Sequence, residues 1–99
     1  MYHVQVTYRI RAGNLPGAQK RIAGFVEELR TGQRLFESYR IYRQPGDPSS
    51  YLHIISYPNI EAQLAHTQLP HVKGFVEAMA GLCESGPIYT ELKNLLDVA

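Results

Sequence analysis

The sequence predicts an α+β domain in which a four-stranded antiparallel sheet carries its helices on one face. Three observations predict it. The opening stretch YHVQVTYRIR alternates apolar and polar residues with period two. Two later segments carry apolar residues at helical spacing instead. Gly, Pro and Asn punctuate the chain so that these units follow the order βαββαβ, joined by short connections. The 99 residues hold one domain's worth of chain, so residues 1–99 read as a single unit.

In the first strand Tyr2, Val4, Val6, Tyr8 and Ile10 point one way, and His3, Gln5, Thr7, Arg9 and Arg11 the other. AGNLPG breaks it, with Asn14 suited to cap a helix and Pro16 to occupy its first turn. From Gly17 to Arg30, Ile22, Phe25, Val26 and Leu29 recur at helical spacing, and Gly32 closes the helix. RLFESYRIYRQ reads as the second strand, PGDPSS as a turn and YLHIISYP as the third strand. Asn59 caps a short helix, NIEAQLAH, which TQLP interrupts; Pro70 then starts a continuing helix through about Leu82, with Val72, Phe75, Val76 and Met79 on one side. ESGP reads as a break before a final strand, IYTELKNLLDV, whose LKNLL also reads as a helical turn. The order favours the split βαβ, or ferredoxin-like, arrangement.

That arrangement leaves one side of the sheet open, and the open side is apolar. The second strand places Leu35, Tyr39 and Ile41 on one face and Phe36 and Tyr42 on the other. The third opposes Tyr51, Ile55 and Tyr57 to Leu52 and Ile54. A sheet apolar on both faces in so short a chain predicts a second copy, hence a homodimer packed sheet to sheet.

Composition narrows the function classes. A net charge of +1 gives no electrostatic case for nucleic acid or an acidic membrane surface. The start of the chain lacks the pattern of a signal peptide, and no apolar run approaches the ~20 residues that span a bilayer. The lone Cys83 supports neither an intramolecular disulfide nor a cysteine-built zinc cluster, and it reads as a buried filler. A soluble protein of the cytoplasm is the expectation.

AHTQLPHVKGF, residues 65–75, concentrates the chemistry: two histidines, a proline and a phenylalanine at the join between two helices. With its surroundings, SYPNIEAQLAHTQLPHVKGFVEAM resembles the signature of the antibiotic biosynthesis monooxygenase superfamily, small dimeric α+β barrel proteins. The corresponding positions are Tyr57 at the strand end, Ala65–His66, Pro70–His71 and Phe75. The resemblance implies a dimeric barrel and cofactor-independent oxygenation of a small aromatic or quinol-like molecule. On that basis His66 reads as the base or orienting group and His71 as a second polar contact, with Tyr39, Tyr57 and Phe75 lining the substrate site. The haem-degrading branch uses a first-strand asparagine and a tryptophan; this first strand has no asparagine and the chain has no tryptophan. Many members carry a glutamate two residues before the strand-end aromatic, where this chain has Ile55.

The chemistry is coherent with the residues. The helix break bends the chain and frees backbone groups, which suits a pocket wall. His71 begins a helix, whose dipole disfavours its imidazolium form. A neutral imidazole accepts a proton from a phenol, and the substrate anion then supplies the electrons that reduce dioxygen, so no cofactor is expected. The plainer reading has His66 closing the helix end, His71 half exposed and the tyrosines filling an interface. A metal site from His53, His66 and His71 lacks a carboxylate at a recognised spacing. An RNA recognition motif shares the element order, but YLHIISYP lacks its basic residue and glycine. The second functional reading is a non-catalytic dimer that binds a small hydrophobic ligand.

Overall fold

The computed structural model describes residues 1–99. Strand β1 (Tyr2–Ile10) leads through a short 3₁₀ turn into helix α1 (Leu15–Thr31); β2 (Ser38–Arg43) and β3 (Ser50–Tyr57) form a hairpin. Helices α2 (Ile60–Gln68) and α3 (Pro70–Leu82) follow, and β4 (Cys83–Leu92) completes the sheet. The sheet is antiparallel throughout, in the order β2-β3-β1-β4. This is the ferredoxin-like α+β fold, with the second helix in two pieces.

Period two decides which side chains the helices cover. Val4, Val6, Tyr8 and Ile10 of β1 are buried, as are Tyr51, His53, Ile55 and Tyr57 of β3. Against them pack Ala18, Ile22, Phe25 and Leu29 of α1 and Val72, Phe75 and Met79 of α3. Phe25 and Phe75 stack at the centre, with ring centroids 3.9 Å apart and planes 7° from parallel. The guanidinium of Arg21 lies 5.6 Å from the Phe75 ring centroid, covering that pair from outside.

The opposite face carries the other residues of each strand. Pairing aligns Tyr42, Leu52, Thr7 and Ile88 in one row across all four strands. Tyr42 is 47% and Ile88 57% exposed, so this row is apolar and uncovered in the single chain.

Several local expectations change. β2 starts only at Ser38, because residues 34–37 run outside the ladder. Phe36 therefore does not share a face with Tyr42; it turns to the helix side and packs on Tyr39 and His66. Asn14 precedes α1 without capping it and donates through Nδ2 to the Leu82 carbonyl instead. The join at Leu69 leaves fewer orphans than the break suggests. Leu69 N–H donates to the His66 carbonyl, and Val72 and Lys73 N–H donate to that of Leu69. ESGP is no break at all. It lies inside β4, where the register against β1 shifts and Gly86 adopts φ +80°.

Candidate active site

Between the sheet and the three helices lies an apolar cavity of about 520 Å³. That volume suits a small organic ligand. Val4, Val6 and Ile55 form part of its floor, Phe25, Val72 and Phe75 part of its roof, and Pro87 and Tyr89 a side. Gln63, Thr67, Lys73 and Glu77 are its polar lining on the helices. The remaining polar wall consists of imidazoles and phenols: Tyr8, Tyr39, His53, Tyr57 and His66.

His66 belongs to the last turn of α2, whose start is fixed by the Asn59 side chain accepting from Ala62 N–H at 2.8 Å. The helix presents His66 to the interior, where it is 2% exposed and ringed by Phe36, Tyr39 and Tyr57 at centroid distances of 5.7, 6.3 and 5.5 Å. Its Nδ1 is buried with no hydrogen-bond partner in the chain. Burial, reinforced by the neighbouring His71, pulls its pKa down to about 4. The ring is therefore neutral at pH 7.

A second imidazole, more firmly held, faces the same space. Nε2 of His53 lies 2.7 Å from the Tyr8 hydroxyl and Nδ1 lies 2.8 Å from the Tyr39 hydroxyl. Neither tyrosine is the direct cross-strand partner of His53: Val6 and Ile41 are, so both hydroxyls reach it diagonally. His53 is 1% exposed, and burial lowers its pKa to about 4. The same burial raises Tyr8, Tyr39 and Tyr57 above the ordinary phenol value. All four groups are thus neutral near pH 7.

Of the residues singled out from sequence, Tyr39, Tyr57, His66 and Phe75 come together on this cavity. His71 does not join them. Its ring packs on Phe25 at 6.4 Å and against Gly32 at the end of α1, and its buried Nε2 has no partner. Tyr8 and His53 were missed as site residues, although a signal existed. His53 alternates with Tyr51, Ile55 and Tyr57 on the covered face, and Tyr8 with Val4, Val6 and Ile10. A polar residue on such a face needs partners. No three His, Cys, Asp or Glu side chains are grouped as a metal site, and both nitrogens of His53 are engaged by the tyrosines. Cys83 is buried, and burial raises its thiol pKa, which disfavours the nucleophilic thiolate. No helix is long and apolar enough to cross a membrane.

The model of one sequence family, antibiotic biosynthesis monooxygenase, matches residues 1–78. The chain belongs to this family. The match spans every histidine and tyrosine named above except Tyr89, and ends before β4. Among solved structures, an antibiotic biosynthesis monooxygenase aligns with a TM-score of 0.87 at 17% identity, over 97% of this chain and 100% of that one. A Deinococcus radiodurans protein named for the same family gives 0.82 at 16% identity, over 100% and 97% of the two chains. Rv0793 from Mycobacterium tuberculosis gives 0.83 at 16%, over 99% and 98%. At these identities the likeness shows the antibiotic biosynthesis monooxygenase fold and nothing finer. No curated protein matches the chain in sequence.

Proposed function

We propose that this family member is a cofactor-independent monooxygenase of a small aromatic, quinol-like substrate. One observation carries the reading: His66, a buried imidazole whose Nδ1 has no hydrogen-bond partner in the chain, lines a mostly apolar cavity of about 520 Å³. An imidazole in that position accepts a proton from a bound hydroxyl. Its low pKa belongs to the cavity without a charge beside it; an oxyanion in the same low-dielectric space raises it and so favours the transfer.

The electrons come from the substrate. A quinol gives its hydroxyl proton to His66, and a ring carbon of the anion forms a bond to dioxygen. His66 returns the proton to the peroxide, the O–O bond breaks, and water leaves. Quinol plus dioxygen becomes hydroxyquinone plus water. One oxygen atom enters the ring, and the other is reduced with electrons that also come from the substrate. The protein supplies the base, the orientation and a mostly apolar site. We place Tyr57 and Phe75 against the substrate ring, with Tyr39 as a hydroxyl contact. The working unit in this reading is a homodimer packed through the uncovered sheet face.

Oxygen uptake with menadiol-type and anthrone-type substrates, above the uncatalysed rate, tests the proposal in wild type and His66→Ala. Loss of the proton acceptor lowers the rate by about a hundredfold or more. Equal rates in the two proteins remove His66 from the mechanism. Tight binding of such aromatics with no oxygen uptake by wild type points instead to a non-catalytic ligand-binding dimer.

A further inference from the structure

Tyr8, His53 and Tyr39 form a chain whose protons can be counted. Neutral, the three side chains carry three polar hydrogens: two phenolic O–H and one imidazole N–H. The two contacts, at 2.7 and 2.8 Å, use two of them. His53 donates to one tyrosine and accepts from the other, because a neutral ring has one N–H and one bare nitrogen. The tyrosine that accepts from His53 keeps a free O–H. The tyrosine that donates to His53 keeps only oxygen lone pairs. Both hydroxyls make no other hydrogen bond in the chain, and both residues line the cavity.

We propose that the Tyr8–His53–Tyr39 unit selects substrates that present one hydrogen-bond acceptor oxygen and one hydroxyl, such as a quinol that has lost a proton or a hydroxyquinone. At any moment the two tyrosine oxygens offer the ligand one donor and one acceptor. Moving the ring proton between Nδ1 and Nε2 exchanges which tyrosine does which, so the ligand binds in either sense. A molecule with two acceptor oxygens satisfies only one of the two tyrosines. The inference takes from the proposed function that the cavity is an aromatic substrate site, and is independent of its oxygen chemistry. It deepens that reading, since the reactive quinol anion carries one hydroxyl and one acceptor oxygen, and the hydroxyquinone product presents its hydroxyl together with a carbonyl oxygen.

Calorimetric titration with unreactive probes tests it. 4-Hydroxyacetophenone carries a hydroxyl and a carbonyl, 1,4-diacetylbenzene two carbonyls, and 4-ethyltoluene no oxygen. Wild type prefers the hydroxy ketone over the diketone by about tenfold or more, the value of one hydrogen bond left unmade. In Tyr8→Phe and in Tyr39→Phe the preference falls to within about threefold, because one of the two oxygens is gone. In His53→Leu each tyrosine recovers an independent hydroxyl, and the diketone gains on the hydroxy ketone. Binding of 4-ethyltoluene unchanged from wild type shows that each variant keeps its cavity. Equal affinity of wild type for both ketones, or a preference that survives both Tyr→Phe variants, overturns the proposal. So does a doubly protonated His53 at pH 7 in ¹⁵N NMR, which gives both tyrosines a free O–H. Absence of oxygen uptake leaves these affinities readable, and equal affinities leave oxygen uptake readable, so the two readings fail separately.

Discussion

The Tyr39 hydroxyl lies 2.8 Å from Nδ1 of His53, although the residue directly across from Tyr39 in the sheet is Ile55. A tyrosine of the edge strand thus reaches diagonally along β3 and satisfies an imidazole that is 1% exposed. The bond joins the β2–β3 hairpin to the polar wall of the cavity. Tyr39→Phe removes it and leaves one ring nitrogen without its partner. The expected loss is about 1–2 kcal/mol of unfolding free energy, read as a lower urea midpoint at unchanged slope. An unaltered midpoint means that water replaces the hydroxyl at no cost.

His53 and His66 make stability depend on pH. Each is held near a pKa of about 4, below the ordinary histidine value, because burial penalises the charged ring. Between pH 6.5 and 4 the unfolded chain takes up protons that the folded chain refuses, so stability falls as the solution is acidified through that window. A unit or more above pH 6.5 both states hold neutral rings and this dependence vanishes. His53 alone contributes a loss on the order of 3 kcal/mol by pH 4, and His66 adds in the same direction. Urea titrations from pH 7.5 to 4 measure it. His53→Leu flattens part of the curve; a wild-type midpoint that stays level through the window contradicts the buried neutral state.

Gly86 sits in β4 at φ +80°, and a Cβ there would lie 2.6 Å from the Thr7 carbonyl oxygen. Both the backbone angle and the close approach exclude a side chain. Gly86→Ala costs about 1–3 kcal/mol and loosens the β1–β4 edge, which brings Pro87 and Tyr89 to the cavity. Gly24, on the exposed side of α1, has nothing within 4 Å of a built Cβ. Gly24→Ala therefore raises stability by roughly 0.5–1 kcal/mol. Thermal melts of the two variants move in opposite directions; a shift of the same sign in both would refute this account of β4.

The row Tyr42, Leu52, Thr7 and Ile88 crosses the uncovered sheet face. Light scattering at micromolar concentration gives twice the chain mass if a second copy covers it. Ile88→Glu puts a charge into that row and shifts the equilibrium to monomer, since burying it unpaired is costly. A wild-type monomer removes the sheet-to-sheet pairing.

Most of the fold was legible in one dimension because periodicity and punctuation are local. Alternation in YHVQVTYRIR set the buried face of β1, and Asn59 and Pro70 marked where α2 and α3 begin. The same logic failed at ESGP, where glycine and proline read as a break. Strand pairing overrode them, with Gly86 taking the left-handed conformation that a bulge against β1 requires. Phe36 was assigned by counting along a strand that starts two residues after it.

The sequence by itself determined the element order, the broken second helix and the arrival of His66 at a pocket wall. Those follow from local spacing and from a family pattern carried by nearby residues. Only the tertiary structure decided that His71 turns toward α1 and that Tyr8, His53 and Tyr39 form one hydrogen-bonded unit. The reason is distance along the chain. Tyr8 and His53 are 45 residues apart, and their contact exists only because β1 pairs with β3 in one register. A slip of one residue would point the imidazole at the other face of the sheet.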